Sequence, residues 1–216
     1  MTPTLSVHIV DDDDAIREGL SLLLETAGFS AHAYPDAESF LNRGGADLPG
    51  CVLLDVRMPG MSGLDLLGVL KRKQPELPVV IITGHADVPM AVQALKAGAD
   101  DFIEKPFDED VLLAAVRKAL DRGRRALRER DQVADIRRRT DELTPREREV
   151  MELVVRGLSN KAAAAELDIS VRTVEIHRAR VMEKMAADSL SALVRMALRL
   201  EEDSGRAGAL ASAAAP

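Results

Sequence analysis

Residues 5–28 read LSVHIVDDDDAIREGLSLLLETAG. The β-rich run 5–10 ends in four aspartates, Asp11, Asp12, Asp13 and Asp14. A helical stripe follows, with apolar residues at Ile16, Leu20, Leu23 and Leu24, and Gly28 supplies its stop. This is one strand–helix unit, and the first half of the chain repeats it. A weaker strand at 31–34 precedes a helix capped by Asp36. A buried-type strand at 51–54 precedes a helix at 64–73. The clearest strand, Val79–Thr83 (VVIIT), precedes a helix capped by Asp87, with Pro89 in its first turn, that ends at Gly98. A short strand at 101–103 leads to a last helix capped by Asp108. Five such units in about 120 residues predict an α/β domain, a five-stranded parallel, doubly wound sheet with helices on both faces. In such sheets ligands sit beyond the carboxyl ends of the strands.

The whole chain has 216 residues, enough for one large domain or two small ones. No apolar run approaches the roughly 20 residues of a membrane span, so no membrane partner is expected. The N-terminus lacks the basic start of a secretory signal. The single cysteine, Cys51, excludes an internal disulfide and a zinc site built on cysteine pairs. Cytoplasmic residence is the expectation. The net charge of −7 hides a split: residues 1–121 carry −10, residues 122–140 carry +5 and residues 141–216 carry −2. That asymmetry predicts two domains with different partners. All five aromatic residues lie in the first half, so the second has no stacking platform for single-stranded nucleic acid.

Residues 122–140 have helix-forming composition, with Leu127 and Val133 isolated among arginines. They read as a charged, solvated helical linker or as a dimerising helix. Thr144-Pro145-Arg146-Glu147 is a capping box with proline at the first helical position. Apolar residues at 150, 153, 154 and 158 form that helix's inner face. Ser159 begins a short helix to about Leu167, and Asp168-Ile169 is a break. Ser170 caps a longer helix to about Met185, and Asp188 starts a fourth to Leu200. Helix, short break and capped second helix form a helix-turn-helix pattern in an all-α domain. The domains are set at 1–121, 141–203 after the linker, and a disordered small-residue tail at 204–216.

The strand ends carry the chemistry. The aspartate run follows the first strand and Asp55 follows the third, so three or more carboxylates converge if those strands are neighbours. Like charges that close protonate or find a cation. Hard oxygen ligands with spare water positions suit Mg²⁺. Helix capping accounts for one of the four aspartates. Thr83 ends the fourth strand and Lys105 follows the fifth. Singly, Thr83 is a strand-favouring residue and Lys105 a surface charge. Jointly with the carboxylates they make a phosphoryl site, in which a carboxylate attacks, Thr83 donates a hydrogen bond, and Lys105 and the metal neutralise oxygens.

VDDDD after the first strand, LDVRMPGMSG after the third, IITGH and DFIEKPF resemble the receiver domain of two-component response regulators across residues 5–121. Residues 83–107, TGHADVPMAVQALKAGADDFIEKPF, resemble the FixJ-type regulators. The resemblance implies a flavodoxin-like receiver phosphorylated on Asp55 by a sensor histidine kinase. It implies that Asp11, Asp12, Asp55 and the backbone carbonyl of Arg57 hold Mg²⁺, and that Thr83 and Lys105 contact the phosphoryl group. It also implies a cis peptide before Pro106. Thr83 and Phe102 would form the switch, although a permanent core role explains Phe102 equally well. The fourth helix and fifth strand would dimerise through a face that holds Met90, Ala91, Val92 and Leu95, some of which core packing also explains.

In the second half, LTPREREV, GLSNK, LDISVRTVEIHR and KM resemble the LuxR-type DNA-binding domain of NarL and FixJ regulators across residues 142–200. By helical period Val171, Val174, Val181 and Met185 share a buried stripe, and Arg172, Glu175, Ile176, Ala179 and Arg180 lie off it. Arg172, Arg178, Arg180 and Lys184 make this helix locally basic, and arginines there reach guanine edges or phosphates. By position in the family pattern, Glu175, Ile176 and Ala179 face bases, and Lys161, Thr173 and Arg178 meet phosphates. The plain alternative is a solvated charged helix. His177 reads as a packing residue, and His8, His32 and His85 lack metal-ligand spacing.

The expected protein is a phosphorylation-dependent transcription regulator that modifies only itself and turns over no external substrate. It would dimerise on promoter DNA, read half-sites about one helical turn apart and activate RNA polymerase. A haloacid-dehalogenase-type phosphohydrolase also uses Asp, Thr, Lys and Mg²⁺, but its D-x-D-x-T loop finds no threonine here. A constitutive DNA-binding or scaffold protein is the third reading, although every expected phosphorylation residue is present. The acidic first half further predicts autoinhibition, relieved in the isolated C-terminal part.

Overall fold

A computed structural model of the chain describes residues 6–44, 49–84 and 87–213, with 206–213 described by backbone alone. Leu5, His85 and residues 214–216 of the sequence reading lie outside the described residues. The chain divides into two compact units, residues 1–127 and 128–216.

The first unit alternates β1 (Ser6–Val10), α1 (Asp14–Thr26), β2 (Ser30–Tyr34), α2 (Ala37–Asn42), β3 (Gly50–Asp55), α3 (Gly63–Lys73), β4 (Val79–Thr83), α4 (Val88–Lys96) and β5 (Asp101–Glu104), and then enters α5 (Glu109–Asp141). The strands pair in parallel in the order β2-β1-β3-β4-β5. The order reverses between β1 and β3, which places the ligand crevice at their carboxyl ends. β3 and β4 are buried along their whole length, hence their continuous apolar sequence. Side chains alternate across the sheet. Val10, Leu54 and Ile81 join Phe40, Leu66 and Leu70 in one core, and Ile9, Leu53 and Ile82 join Leu24, Leu112 and Val116 in the other.

Local chemistry places the helices at the strand ends. Of the four aspartates Asp13 is the cap, accepting from the backbone N–H of Ala15 and Ile16. Asp36 and Asp87 cap α2 and α4, as expected. Gly63 opens α3 so close to the chain after Asp55 that a Cβ there would lie 2.0 Å from the Asp55 carbonyl oxygen. Only glycine lets this helix pack there.

The second unit contains α6 (Pro145–Val155), α7 (Asn160–Glu166), α8 (Val171–Lys184) and α9 (Leu190–Ala213). Thr144 and Glu147 form the predicted capping box, and Ser159 and Ser170 cap α7 and α8. Val150, Leu153, Val174, Val181, Met185 and Leu193 form the core.

Residues 122–140 are helical and largely exposed, and their two ends belong to different units. Arg122 pairs with Asp100 and Leu127 packs on the first unit's core, whereas Ile136 is buried in the second. The 204–216 tail, expected to be disordered, continues α9 as far as Ala213. Alanine is the best helix former, and extending a packed helix is far easier than nucleating one. α9, expected to start at Asp188, starts at Leu190, after Ser189, whose Oγ accepts from the Ala192 N–H at 3.2 Å. Val171, placed on the buried stripe, is 41% exposed because it occupies the first turn of α8, ahead of the packed turns.

Candidate functional site

At the carboxyl ends of β1 and β3, Asp11 and Asp55 are 1% and 5% exposed. Lys105, just past β5, joins them. Its Nζ donates to Asp11 Oδ2 at 2.5 Å and to Asp55 Oδ1 at 2.9 Å. The other Asp55 oxygen accepts the backbone N–H of Arg57 at 2.5 Å. Burial raises the Asp55 pKa above the usual carboxylate range, against the hydrogen bond from Lys105. Burial also opposes the Lys105 charge, yet its hydrogen bonds to Asp11 and Asp55 carry its pKa above the ordinary lysine range. Two buried carboxylates thus share one ammonium.

Thr83, the last residue of β4, is buried. Its carbonyl accepts the backbone N–H of Lys105 at 2.8 Å, so the ends of β4 and β5 run together here. The Lys105–Pro106 peptide is cis, as the resemblance implies. Asp12 is exposed beside the cluster. Among the described residues no three of His, Cys, Asp and Glu are gathered as a metal would gather them; the structure brings together Asp11, Asp55 and Lys105. Phe102 is half-buried against the core that contains Ile81. Met90 packs on the same core, whereas Val92 and Leu95 of α4 are exposed.

Sequence reasoning passed over Arg17. Its Nη1 donates to the Asp11 carbonyl at 2.7 Å and its Nη2 pairs with Asp14. The Asp14–Arg17 spacing, i to i+3 on a helix, carried that signal.

In the second unit α8 is the second helix of the helix-turn-helix. Arg172, Glu175, Ile176, Ala179 and Arg180 are exposed, as the period predicts, and Thr173 is half-buried. Lys161 is exposed on α7. Arg178 donates to Asn160 Oδ1 at 3.0 Å and so ties α8 to the start of α7. Thr173 Oγ1 lies 2.8 Å from Ser170 Oγ. Lys184 is turned inward, with its Nζ 2.7 Å from Glu147 Oε2. Its hydrogen bond and the Thr144 backbone N–H hold the Glu147 pKa down to about 2. His177 is half-buried, which fits a packing role.

The description "Response regulator receiver domain" matches residues 7–117, and "Bacterial regulatory proteins, luxR family" matches residues 141–197. The transcriptional regulatory protein FixJ of Azorhizobium caulinodans is 49% identical, covering 92% of this chain and 94% of its own. The chain belongs to the FixJ-type response regulators. The response regulator protein TodT of Pseudomonas putida is 43% identical over 91% of this chain and 86% of its own. The solved structure of response regulator StyR, 40% identical, covers 91% of this chain and 100% of its own, with a TM-score of 0.81. FixJ-type regulators thus couple a receiver to a LuxR-type DNA-binding domain, and both units of this chain take those folds. No described helix is long and apolar enough to cross a membrane.

Proposed function

We propose that this response regulator accepts a phosphoryl group on Asp55 from a sensor histidine kinase, dimerises, and activates transcription from promoter DNA. The carrying observation is the Asp11–Lys105–Asp55 cluster, buried at the sheet's ligand end in a chain that also has a helix-turn-helix unit. In the transfer, an Asp55 oxygen forms a bond to phosphorus as the kinase's phosphohistidine N–P bond breaks, and the electron pair returns to the imidazole nitrogen. Lys105 turns from the carboxylates to the phosphoryl oxygens, and Thr83 donates to another of them. The chemistry of the donor set fits Mg²⁺: Asp11, Asp12, Asp55 and the Arg57 carbonyl are hard oxygens that would hold it, and the two buried carboxylates have only the Lys105 ammonium between them. When bound, the ion supplies neutralisation of the phosphoryl charge.

Thr83 and Phe102 then carry the change to α4 and β5. Val88, Val92 and Leu95 of α4 are exposed there and form the dimer face. Glu175, Ile176, Ala179, Arg172 and Arg180 read or flank bases in the major groove, and Lys161, Thr173 and Arg178 meet phosphates. RNA polymerase is the partner through which bound dimers act. The chain turns over no external substrate, and binding chromosomal DNA places it in the cytoplasm.

Acetyl phosphate with Mg²⁺, followed by intact mass, tests the reading. Wild type gains one phosphoryl group, and Asp55→Asn gains none. A wild type that stays unmodified by acetyl phosphate and by phosphorylated kinases favours a constitutive DNA-binding protein instead.

A further inference from the structure

Arg17 lies in the first turns of α1, three residues past the last of the four aspartates. Its side chain is only 14% exposed, although Asp14, its ion-pair partner, projects into solvent. One guanidinium arm holds the Asp11 carbonyl at 2.7 Å and the other holds Asp14. The Asp36 pKa, held below the usual range first by the backbone N–H of Ser39, is lowered further by the same guanidinium. Three interactions shape the loop between β1 and α1: the Asp13 cap, the Asp13 N–H donated to Asp11 Oδ1 at 3.0 Å, and Arg17. Among the described side chains Arg17 is the one that grips the peptide joining Asp11 to Asp12.

We infer that Arg17 is a positioning residue for divalent-cation binding: its planar fork fixes the Asp11–Asp12 peptide so that both carboxylates are presented to the ion. This rests on the cation site proposed above. A bare charge argument gives the opposite sign, because a nearby guanidinium repels a cation and its removal tightens binding. Loss of a residue that orients metal ligands weakens affinity by roughly tenfold or more. Lysine keeps the charge but cannot reproduce a two-point planar grip.

The full chain as wild type, Arg17→Lys and Arg17→Met separates these effects, with no phosphodonor present. Mn²⁺ is the probe, its free concentration read by electron paramagnetic resonance, and metal-free thermal melts check folding. Both variants are expected to bind Mn²⁺ roughly tenfold or more weakly, with Arg17→Lys giving little rescue. Tighter binding by Arg17→Met with Arg17→Lys unchanged is the Coulombic result and overturns the inference, as does unchanged affinity in both. If Arg17→Met does not fold, Arg17→Lys alone decides: weakened binding supports positioning and wild-type binding overturns it. A wild type that binds no Mn²⁺ removes the cation site itself, and the role of Arg17 with it.

Discussion

Lys184 of α8 and Glu147 of α6 form a shielded ion pair, with Nζ and Oε2 2.7 Å apart and the Glu147 side chain 3% exposed. The same Glu147 oxygen accepts the Thr144 N–H, and Lys184 also donates to the Glu142 carbonyl. A basic residue of α8 thus serves to hold that helix on α6. Lys184→Met leaves a buried carboxylate unpaired and is expected to cost about 2 kcal/mol. That is less than the cost of breaking a fully buried pair, because a third of Lys184 stays in solvent. Urea unfolding of residues 128–216 measures it, and an unchanged midpoint would show the pair to be inert. The folded Glu147 titrates near 2 rather than 4.5. Its contribution is complete above pH 4.5 and is lost as pH falls toward 2.

His8 gives the first unit a different acid sensitivity. It sits in β1 opposite His32 of β2, with ring centroids 5.6 Å apart, and its Nδ1 lies 3.4 Å from the Tyr34 hydroxyl. Burial, with His32 adding to it, lowers its pKa from 6.5 to about 4. The unfolded chain takes up this proton first, so the neutral ring's contribution is fully present above pH 6.5 and lost as pH falls toward 4. The loss reaches about 3 kcal/mol. His8→Leu should flatten the fall in thermal midpoint of the 1–127 unit between pH 7 and pH 4. A variant whose midpoint falls as steeply as wild type assigns that acid loss to other groups.

The alternation of strands and helices was legible because each central strand is buried on both faces and each helix has a side-chain cap. The grouping of Asp11, Asp55 and Lys105 was legible for the same reason: strand ends point one way, so residues at the ends of β1, β3 and β5 gather on one rim. Arg17 and Lys184 were not. Both look like surface charges in sequence, and their roles depend on which carbonyl or carboxylate the fold brings within reach. The fate of residues 122–140 was hidden likewise. Leu127 and Ile136 are isolated apolar residues with no period of their own; Leu127 is half-buried against the core of one unit and Ile136 is buried in the core of the other.

That division predicts where the second unit begins. Ile136 lies in its core, Arg139 donates to the Met185 carbonyl at 2.9 Å, and Arg137 pairs with Asp203 at 2.8 Å. A fragment of residues 128–216 should therefore be more stable than one of residues 141–216. Ile136→Ala in the longer fragment should cost about 3 kcal/mol through the cavity it leaves. Equal unfolding midpoints for the two fragments would contradict the assignment. The longer fragment is also the proper test of autoinhibition, because its DNA affinity can be compared with that of the unphosphorylated full chain without loss of core. Tighter binding by the fragment is the expected result.

The exposed side chains of the helix-turn-helix divide into two kinds, and salt separates them. Lys161 is exposed on α7 and has no base-reading geometry to satisfy, so its expected contact is a phosphate. The proposed dimer would present two copies, and each phosphate contact contributes roughly 0.9 to the slope of log affinity against log salt. Lys161→Ala should therefore lower the magnitude of that slope by about 1.8 and weaken all sequences alike. Ile176 is exposed on α8, uncharged, and lies one turn from Arg172 and Arg180. Ile176→Ala should leave the slope unchanged and relax preference at one base pair per half-site, by about 1–3 kcal/mol at most. Binding selections and salt titrations on the same phosphorylated protein read both quantities. If Ile176→Ala changed the slope and Lys161→Ala changed the preferred sequence, the face of α8 presented to DNA would have to be reassigned.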